Sequence, residues 1–455
     1  MRVHVAIVGG GITGLAAATW LAADHGVEEV VVLEAEGRAG GKVRSERRDG
    51  HLLEHGPQGF LDSAPDTLEL ARLGGLEAAL VRADEASADR FILRGGRLRS
   101  VPLTPPAFLV SDILPLGGRL RVMMEPFARR RPDHDETVFD FARRRIGRRA
   151  AEVLVDAMVT GVFAGDSTQL SLAATFPRMA AMEAEHGTLT RALFAKMREA
   201  RAAGRRSAGP GGPAGRLTTF AEGMEQLPRV LADGLGDRLR LTTPVRRISR
   251  NGGRFLVTTD SDEFEADRLL LTTPADLTAR LLGELAAAAV PALTAIPTVP
   301  IAVVMLSFAG RHAFGRPLDG FGFLVPRGEP VGILGTLFCH SIFPGQAPED
   351  RVFLRTMLGG AREPAAAELE DSALVDRVRS AHRLALGADP EPESVWIVRW
   401  PEGISQYTVG HLDRVAAAEV AAQAAGIELA GSPFRGVSVN DCVKQARAAA
   451  ARLAS

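Results

Sequence analysis

The chain has 455 residues, 46% of them hydrophobic and 24% charged, with a formal net charge of −1 at pH 7. That length exceeds one ordinary core and predicts two or three domains, and the near-neutral balance supplies no overall field to recruit nucleic acid. Two cysteines, Cys339 and Cys442, argue against a disulfide framework and for a reducing compartment, and neither has metal-ligating company at short spacing.

Val3 to Val8 is short, apolar and β-branched, and reads as a buried strand. Gly9, Gly11 and Gly14 follow as G-x-G-x-x-G, Ile12 to Ala23 continue as an Ala-rich helix, and Glu29 to Leu33 form a second strand ending at Glu34. Each part suits a dinucleotide. The first glycine permits the turn, the second lets a pyrophosphate approach the backbone, and the third allows close helix–strand packing. The helix N-terminus faces the phosphates and the acid accepts from ribose hydroxyls. The candidate cofactor-binding residues here are Gly9, Gly10, Gly11, Ile12, Thr13, Gly14 and Glu34.

Val43 to Arg48 and His51 to Glu54 predict a hairpin across Asp49-Gly50, and the turn Gly56-Pro57-Gln58-Gly59 can present backbone N–H groups to a planar ring. A helix is expected over Asp66 to Leu73, then a hairpin from Arg90-Phe91-Ile92-Leu93 and Gly96-Arg97-Leu98. Residues 101 to 200 read as helical and basic. Ten arginines and five acids lie between Leu116 and Ala150, a net +5 that fits either a solvated helix face or docking on anionic lipid, with Phe108-Leu109-Val110 and Ile113-Leu114 nearby. Thr160 to Asp166, with Gly161 and Gly165, reads as a break in the helical pattern, and Arg201 to Arg216 as a flexible linker.

Beyond the linker, strands are expected at Arg240 to Ile248, Phe255 to Thr259 and Glu263 to Leu271. The longest uncharged run, Leu285 to Ala309, contains Pro291, Pro297 and Pro300, which argue against a membrane-spanning helix. It reads as a helix end, a loop, then a strand at Ile301 to Phe308. A turn at Asp319 to Val325 and strands near 333–338 and 352–358 complete a mixed sheet. By spacing, Leu324 and Met357 are core residues, and the polar Cys339-His340-Ser341 reads as an edge of the sheet, with a substrate-facing segment as the alternative. A strand at Ile427 to Gly431 precedes an Ala-rich terminal helix, which Asn440 or Asp441 can cap. Its positive end would favour an anionic ring, and Cys442 reads as a small buried residue. Since the first strand begins within three residues of the start, no secretory leader is expected.

Gly37-Arg38-Ala39-Gly40-Gly41-Lys42, directly after Glu34, resembles the glycine-doublet extension of FAD-dependent amine oxidases, phytoene desaturases and protoporphyrinogen oxidases. The segments 54–60, 89–96, 160–166, 319–326, 404–411 and 436–442 extend the likeness over the chain. Together they resemble the oxygen-dependent, FAD-containing protoporphyrinogen oxidases, whose motifs the bacterial coproporphyrinogen III oxidases share. The resemblance implies an α/β (α+β) fold. It has a discontinuous Rossmann-like FAD-binding domain (1–85, 215–275, 395–455), a mixed-sheet substrate domain (86–100, 276–394) and an inserted helical, membrane-facing domain (101–214). It adds Ala35, Arg38, Gly41, Lys42, Gly56, Pro57, Gln58, Gly59, Val245, Trp400, Gly431, Val437, Ser438 and Val439 to the cofactor site. Arg90 becomes a propionate anchor, whose planar fork suits a carboxylate, Leu324 and Met357 become walls against a flat ligand, and Gly165 supplies the catalytic close approach near a pyrrole.

The implied reaction is stepwise oxidation of protoporphyrinogen IX to protoporphyrin IX by oxygen, with release of hydrogen peroxide, and the alternative substrate is coproporphyrinogen III. Implied partners are an anionic membrane surface, a ferrochelatase-type downstream enzyme and a second copy of the chain, with no metal and no nucleic acid. The implied location is cytoplasmic, attached to the inner face of the membrane. A flavin amine oxidase is the rival enzyme. It is poorly served by one Tyr and three Trp, because an amine cage stacks aromatics. A carotenoid desaturase is disfavoured by segments 89–96 and 404–411. A non-catalytic flavin-binding sensor is the reading from another class.

Overall fold

A computed structural model describes residues 1–102, 104–129, 131, 134–202 and 215–454. Most of the expected linker, 203–214, lies outside the described residues, as do Arg130 and Asp133 of the basic run. The chain forms two compact units. The first comprises Met1–Arg82, Gly215–Pro297 and His411–Ser455, the second Ala83–Ala214 and Thr298–Gly410.

The first unit is built on a sheet whose central strands run parallel. Arg2–Val8 lies between Val30–Leu33 and Glu263–Leu271, with Leu239–Arg240 outside Val30–Leu33. Ile427–Leu429 joins the carboxyl end of Glu263–Leu271 in parallel, while Arg254–Thr258 pairs antiparallel with its first half. The inner strands are runs of Val, Ile and Leu buried on both faces, as a parallel sheet between helices requires. The helices Ile12–His25 and Val439–Leu453 share one apolar cluster, in which Leu15, Ala16 and Trp20 join Val443, Ala446 and Ala450. Small alanines let these helices close, and Arg447 clamps them: it lies 4.2 Å from the centroid of the Trp20 ring and pairs with Asp24 and Asp66. A second, three-stranded sheet ties Phe60–Leu61 and Leu80–Arg82 to Leu217–Phe220.

The second unit holds a seven-stranded mixed sheet. Its order is Ser394–Ser405, Thr298–Ala309, Arg351–Gly359, Gly335–Phe338, Gly322–Leu324, Arg90–Arg94, Arg97–Ser100. Strand alternation sends Leu93, Phe323, Phe338, Val304, Leu306 and Leu354 to one face, where they share a core with Leu374, Val378 and Ala381 of the helix Asp371–Leu386. His382 of that helix is 2% exposed, and its Nε2 lies 3.1 Å from both Thr336 Oγ1 and Thr356 Oγ1. Burial drives its pKa down to about 3, so the imidazole folds neutral. The unfolded chain therefore binds a proton that the folded chain refuses. Stability is full above about pH 6.5 and falls, by up to ~1.4 kcal/mol per pH unit, as pH drops towards 3. We expect urea midpoints at pH 4.5 and 7 to differ less in His382→Leu than in the unsubstituted chain; an unchanged difference contradicts this assignment.

Several local expectations are corrected. The strand over 240–248 splits into Leu239–Arg240 and Arg247–Asn251, because Pro244 has no N–H and Thr242 adopts φ +50°. The 319–325 turn contains the strand Gly322–Leu324; a Cβ at Gly322 would stand 2.1 Å from the Thr336 carbonyl oxygen, so only glycine lets these strands meet. The helix Asp156–Phe163 runs through Thr160-Gly161 and ends at Ala164, φ +47°. Cys339–Ile342 is one helical turn and not a sheet edge, with Cys339 and Ser341 buried and Ser341 Oγ accepting from the Gly320 N–H. The helix His411–Ala424 was not anticipated; Nε2 of buried His411 lies 2.8 Å from the Phe434 carbonyl oxygen.

The basic run also changes meaning. Arg145 is fully buried against Glu125 and Glu183, and Arg144 pairs with Glu136 and Glu183. Arg121 donates to the Arg144 and Arg145 carbonyls, while Arg148 and Arg149 pair with Glu152. Ile113 and Leu114 are core residues. Arg144 and Arg145 thus act inside the fold, while Arg148 and Arg149 stay at the surface.

Candidate functional site

Parallel strands deliver their carboxyl ends to one edge of the first unit's sheet, where ligands of such sheets bind. Gly9 to Gly11 follow Arg2–Val8, Glu34 follows Val30–Leu33, Thr272 follows Glu263–Leu271, and Gly431 follows Ile427–Leu429. Thr272 Oγ1 donates to the Val8 and Gly9 carbonyls, both at 3.0 Å, and fixes the turn. Gly9 has φ +107°, and a Cβ there would meet Thr272 Oγ1 at 2.7 Å. A Cβ on Gly14 would stand 2.0 Å from the Gly9 carbonyl oxygen. Gly11 differs: a Cβ there would meet nothing within 4 Å. The helix Ile12–His25 has no side-chain cap at Gly11, so its first N–H groups face that open space.

The second glycine turn closes the cradle. Gly40 bridges Gly11, and its N–H donates to the Gly10 carbonyl at 2.8 Å. Arg38 donates to the Ala39 and Gly41 carbonyls at 3.1 and 2.5 Å and braces this turn; Ala35 and Lys42 flank it. Glu34 accepts from the Gly10 N–H at 2.6 Å and from the Glu36 N–H at 2.8 Å, so its carboxylate lies beside the cradle with lone pairs to spare. Thr243 N–H donates to the Glu34 carbonyl, which places the following Pro244-Val245 past the same strand end. Gly56 packs on the Lys42 carbonyl and Gly59 on the Thr218 carbonyl, with Cβ positions 1.9 and 2.7 Å away, and Pro57-Gln58 lie between them. These residues fit an adenine dinucleotide: uncapped N–H groups and open space for a diphosphate, with an acid alongside.

At the terminal helix the cap is Ser438 and not Asn440. Ser438 Oγ accepts from the Asp441 N–H at 3.1 Å, and Asp441 returns a bond to Ser438. Asn440 instead donates to the Leu61 carbonyl and accepts from Thr67. The capping box places a carboxylate at this positive end but leaves the Val439 N–H, in the first helical turn after Val437-Ser438, without an acceptor among the described residues. Cys442 is buried and its thiol is pushed up to about 12, which makes it inert.

In the second unit, the sheet face opposite the helix Asp371–Leu386 carries the other candidates. Register aligns Ile92, Leu324, Gly335, Met357, Val303 and Val398 in one row. Leu324 and Met357 are therefore separated only by Gly335, which has no side chain between them. The adjacent row is Arg90, Gly322, Leu337, Arg355, Met305 and Trp396. Arg90 is exposed, lies 5.2 Å from the Phe321 ring centroid, and has no ion pair among the described residues. Arg355, which the sequence reading missed, is 4% exposed on this same face. Gly165 is backed by Leu170 and Gln406, at 2.6 and 2.8 Å from its Cβ position; the glycine abutting the Leu324 side chain, at 2.7 Å, is Gly161. Trp400 lies on the edge strand Ser394–Ser405, opposite Ile301.

The family model for flavin-containing amine oxidoreductases matches residues 12–454. A protoporphyrinogen oxidase of Bos taurus is 33% identical over 485 residues, covering 99% of this chain and 98% of the relative. The coproporphyrinogen III oxidase of Bacillus subtilis (strain 168) is 29% identical over 469 residues, covering 98% and 97%. A crystal structure provisionally described as a protoporphyrinogen oxidase from Exiguobacterium sp. 255-15 superposes with a TM-score of 0.85 at 30% identity, covering 100% of this chain and 98% of that one.

Proposed function

The chain belongs to the flavin-containing amine oxidoreductases and, among them, to the porphyrinogen oxidases of haem biosynthesis, and from that premise we propose that its substrate is protoporphyrinogen IX. FAD is the cofactor of the family; when bound, it supplies a two-electron acceptor that oxygen restores with release of hydrogen peroxide. The chain's own residues hold and orient. Gly9 to Gly14 and Gly40-Gly41 cradle the diphosphate, Glu34 takes the ribose, and the uncapped Val439 N–H is offered to the polar edge of the ring.

The observation that carries the substrate reading is an exposed guanidinium without an ion pair among the described residues, standing in the row next to the aliphatic one. Of the arginines at 90, 94, 97, 99 and 355 on that face, Arg94 is bonded to the Ile113 carbonyl, Arg99 to Asp112, Arg355 is buried, and Arg97 lies on the edge strand Arg97–Ser100, outside the two rows. Arg90 is left to take the propionate side of a macrocycle whose apolar body lies on Leu324, Leu337 and Met357. The two rows contain no Asp, Glu or His, so they shield and position and exchange no proton. Coproporphyrinogen III, with carboxylates on every ring, is the second reading, favoured by the name of the Bacillus relative. Parallel assays of porphyrin fluorescence under air, one with each porphyrinogen, decide between them by kcat/KM. The larger value is expected for protoporphyrinogen IX, and a larger one for coproporphyrinogen III overturns the substrate assignment.

We further propose contact with an anionic membrane from the cytoplasmic side. No described helix is long and apolar enough to cross one. Leu116, Leu120, Met123, Met124 and Phe127 are all exposed, Phe127 by 83%, beside Arg119 and Arg129. Pelleting with anionic vesicles is expected to fall with added salt and to fall further in Phe127→Ser. Equal pelleting with neutral and anionic lipid would refute this contact. A ferrochelatase-type recipient and a homodimer belong to the same proposal and rest on family resemblance alone.

A further inference from the structure

Asp156 opens the helix Asp156–Phe163, directly after a π-helical turn at Ala151–Val155. Its carboxylate is fully buried and collects donors from three separate segments. Ser167 Oγ donates to Oδ1 at 2.7 Å; the Arg327 N–H and Arg362 Nη1 both donate to Oδ2 at 2.9 Å. Arg327 lies three residues past Leu324, and Arg362 five residues past Met357, on the loops that follow the two aliphatic walls. Arg362 also donates to the Val325 carbonyl at 3.3 Å. The same helix carries Gly161, which abuts Leu324, and ends at Ala164, whose carbonyl accepts from the Ala361 N–H at 2.8 Å. One buried carboxylate thus links the helix to the continuations of both walls.

We infer that Asp156 and Arg362 are positioning residues that fix how the helix Asp156–Phe163 seats against the Leu324–Met357 row, and so set the shape of the wall on which a flat macrocycle is held. This rests on the reading that the macrocycle lies on that row. Neither residue needs to touch it. An ion pair whose carboxylate is buried and bonded at both oxygens fixes geometry more than it adds stability, and removing the arginine leaves the carboxylate charge stranded. The seating of the helix on Leu324 is the quantity that should move. Looser walls weaken ground-state and transition-state binding together, which raises KM and leaves kcat nearly alone.

The test compares the FAD-loaded unsubstituted enzyme with Arg362→Met, Arg362→Lys and Ser167→Ala, the last removing one donor without stranding a charge. Three readouts are taken: protoporphyrin IX affinity by fluorescence quenching, the KM and kcat of porphyrinogen oxidation, and hydrogen exchange over 156–168 and 324–328. In Arg362→Met, porphyrin affinity is expected to fall about tenfold and KM to rise in step, with kcat within about threefold, FAD content unchanged and exchange faster in both segments. Arg362→Lys is expected to recover most of the affinity, and Ser167→Ala to show a smaller change of the same sign. Should Arg362→Met not fold, Ser167→Ala carries the comparison. Unchanged affinity, or a fall in kcat at constant affinity, overturns the positioning role. If the unsubstituted enzyme neither binds the porphyrin nor oxidises the porphyrinogen, the substrate reading fails, while the exchange data still judge the link: unaltered exchange in the variants overturns it.

Discussion

Gly11→Ala is expected to fold normally and lose its cofactor, whereas Gly14→Ala is expected to lose both. The distinction follows from what each added methyl would meet. At Gly14 the Cβ would stand 2.0 Å from the Gly9 carbonyl oxygen, a backbone atom held by Thr272, so the first helix must pull away from the first strand. Overpacking against yielding side chains costs about 1–3 kcal/mol, and an unyielding backbone puts this change at or above the top of that range. At Gly11 the backbone is extended, φ −69°, and nothing lies within 4 Å, so the fold loses nothing. On the proposed reading that space admits the diphosphate to the uncapped N–H groups, and a methyl there blocks it. Gly117→Ala, also with nothing within 4 Å but on a different helix, serves as the control with both properties intact. Urea midpoints and the FAD-to-protein ratio separate the outcomes. A Gly11→Ala protein that retains full FAD would remove the diphosphate from this cradle.

Arg90→Ala is expected to raise KM about tenfold to hundredfold with kcat within about threefold, because a charge-assisted pair contributes roughly 1.5–3 kcal/mol and, on the proposed reading, Arg90 anchors a propionate and leaves the flavin untouched. Arg90→Lys should recover part of the loss, keeping the charge but not the fork. Steady-state kinetics over a substrate series measures this, and an unchanged KM in Arg90→Ala excludes Arg90 from substrate binding.

Much of what was local was legible in the sequence, the helix His411–Ala424 and the turn Cys339–Ile342 being exceptions. The strand, glycines, helix and acid of residues 3–34 sit within one supersecondary unit, and each carries its own signal in period or residue type. The hairpin at Asp49-Gly50 is similar: both residues adopt positive φ, 49° and 76°, as the dipeptide demands. Non-local geometry was not legible. Nothing at Gly335 reveals that it separates Leu324 from Met357; only the register of three strands does. Arg145 looked like surface charge because its partners Glu125 and Glu183 lie 20 and 38 residues away. Asp156 passed unnoticed for the same reason, its acceptor role depending on Arg327 and Arg362, 171 and 206 residues further on. Arg355 could have been found, since an Arg between Val352-Phe353-Leu354 and Met357-Leu358 is out of pattern for a core strand.

The central claim is that the amino-terminal glycine turns and the terminal helix are built to grip one FAD. Titration of the purified, FAD-stripped chain with FAD, followed by visible absorbance and by the fluorescence of unbound flavin, tests it most directly. One FAD per chain and a yellow protein that stays yellow through gel filtration are the predicted result. A chain that stays colourless after reconstitution, while correctly folded by circular dichroism, would contradict the account.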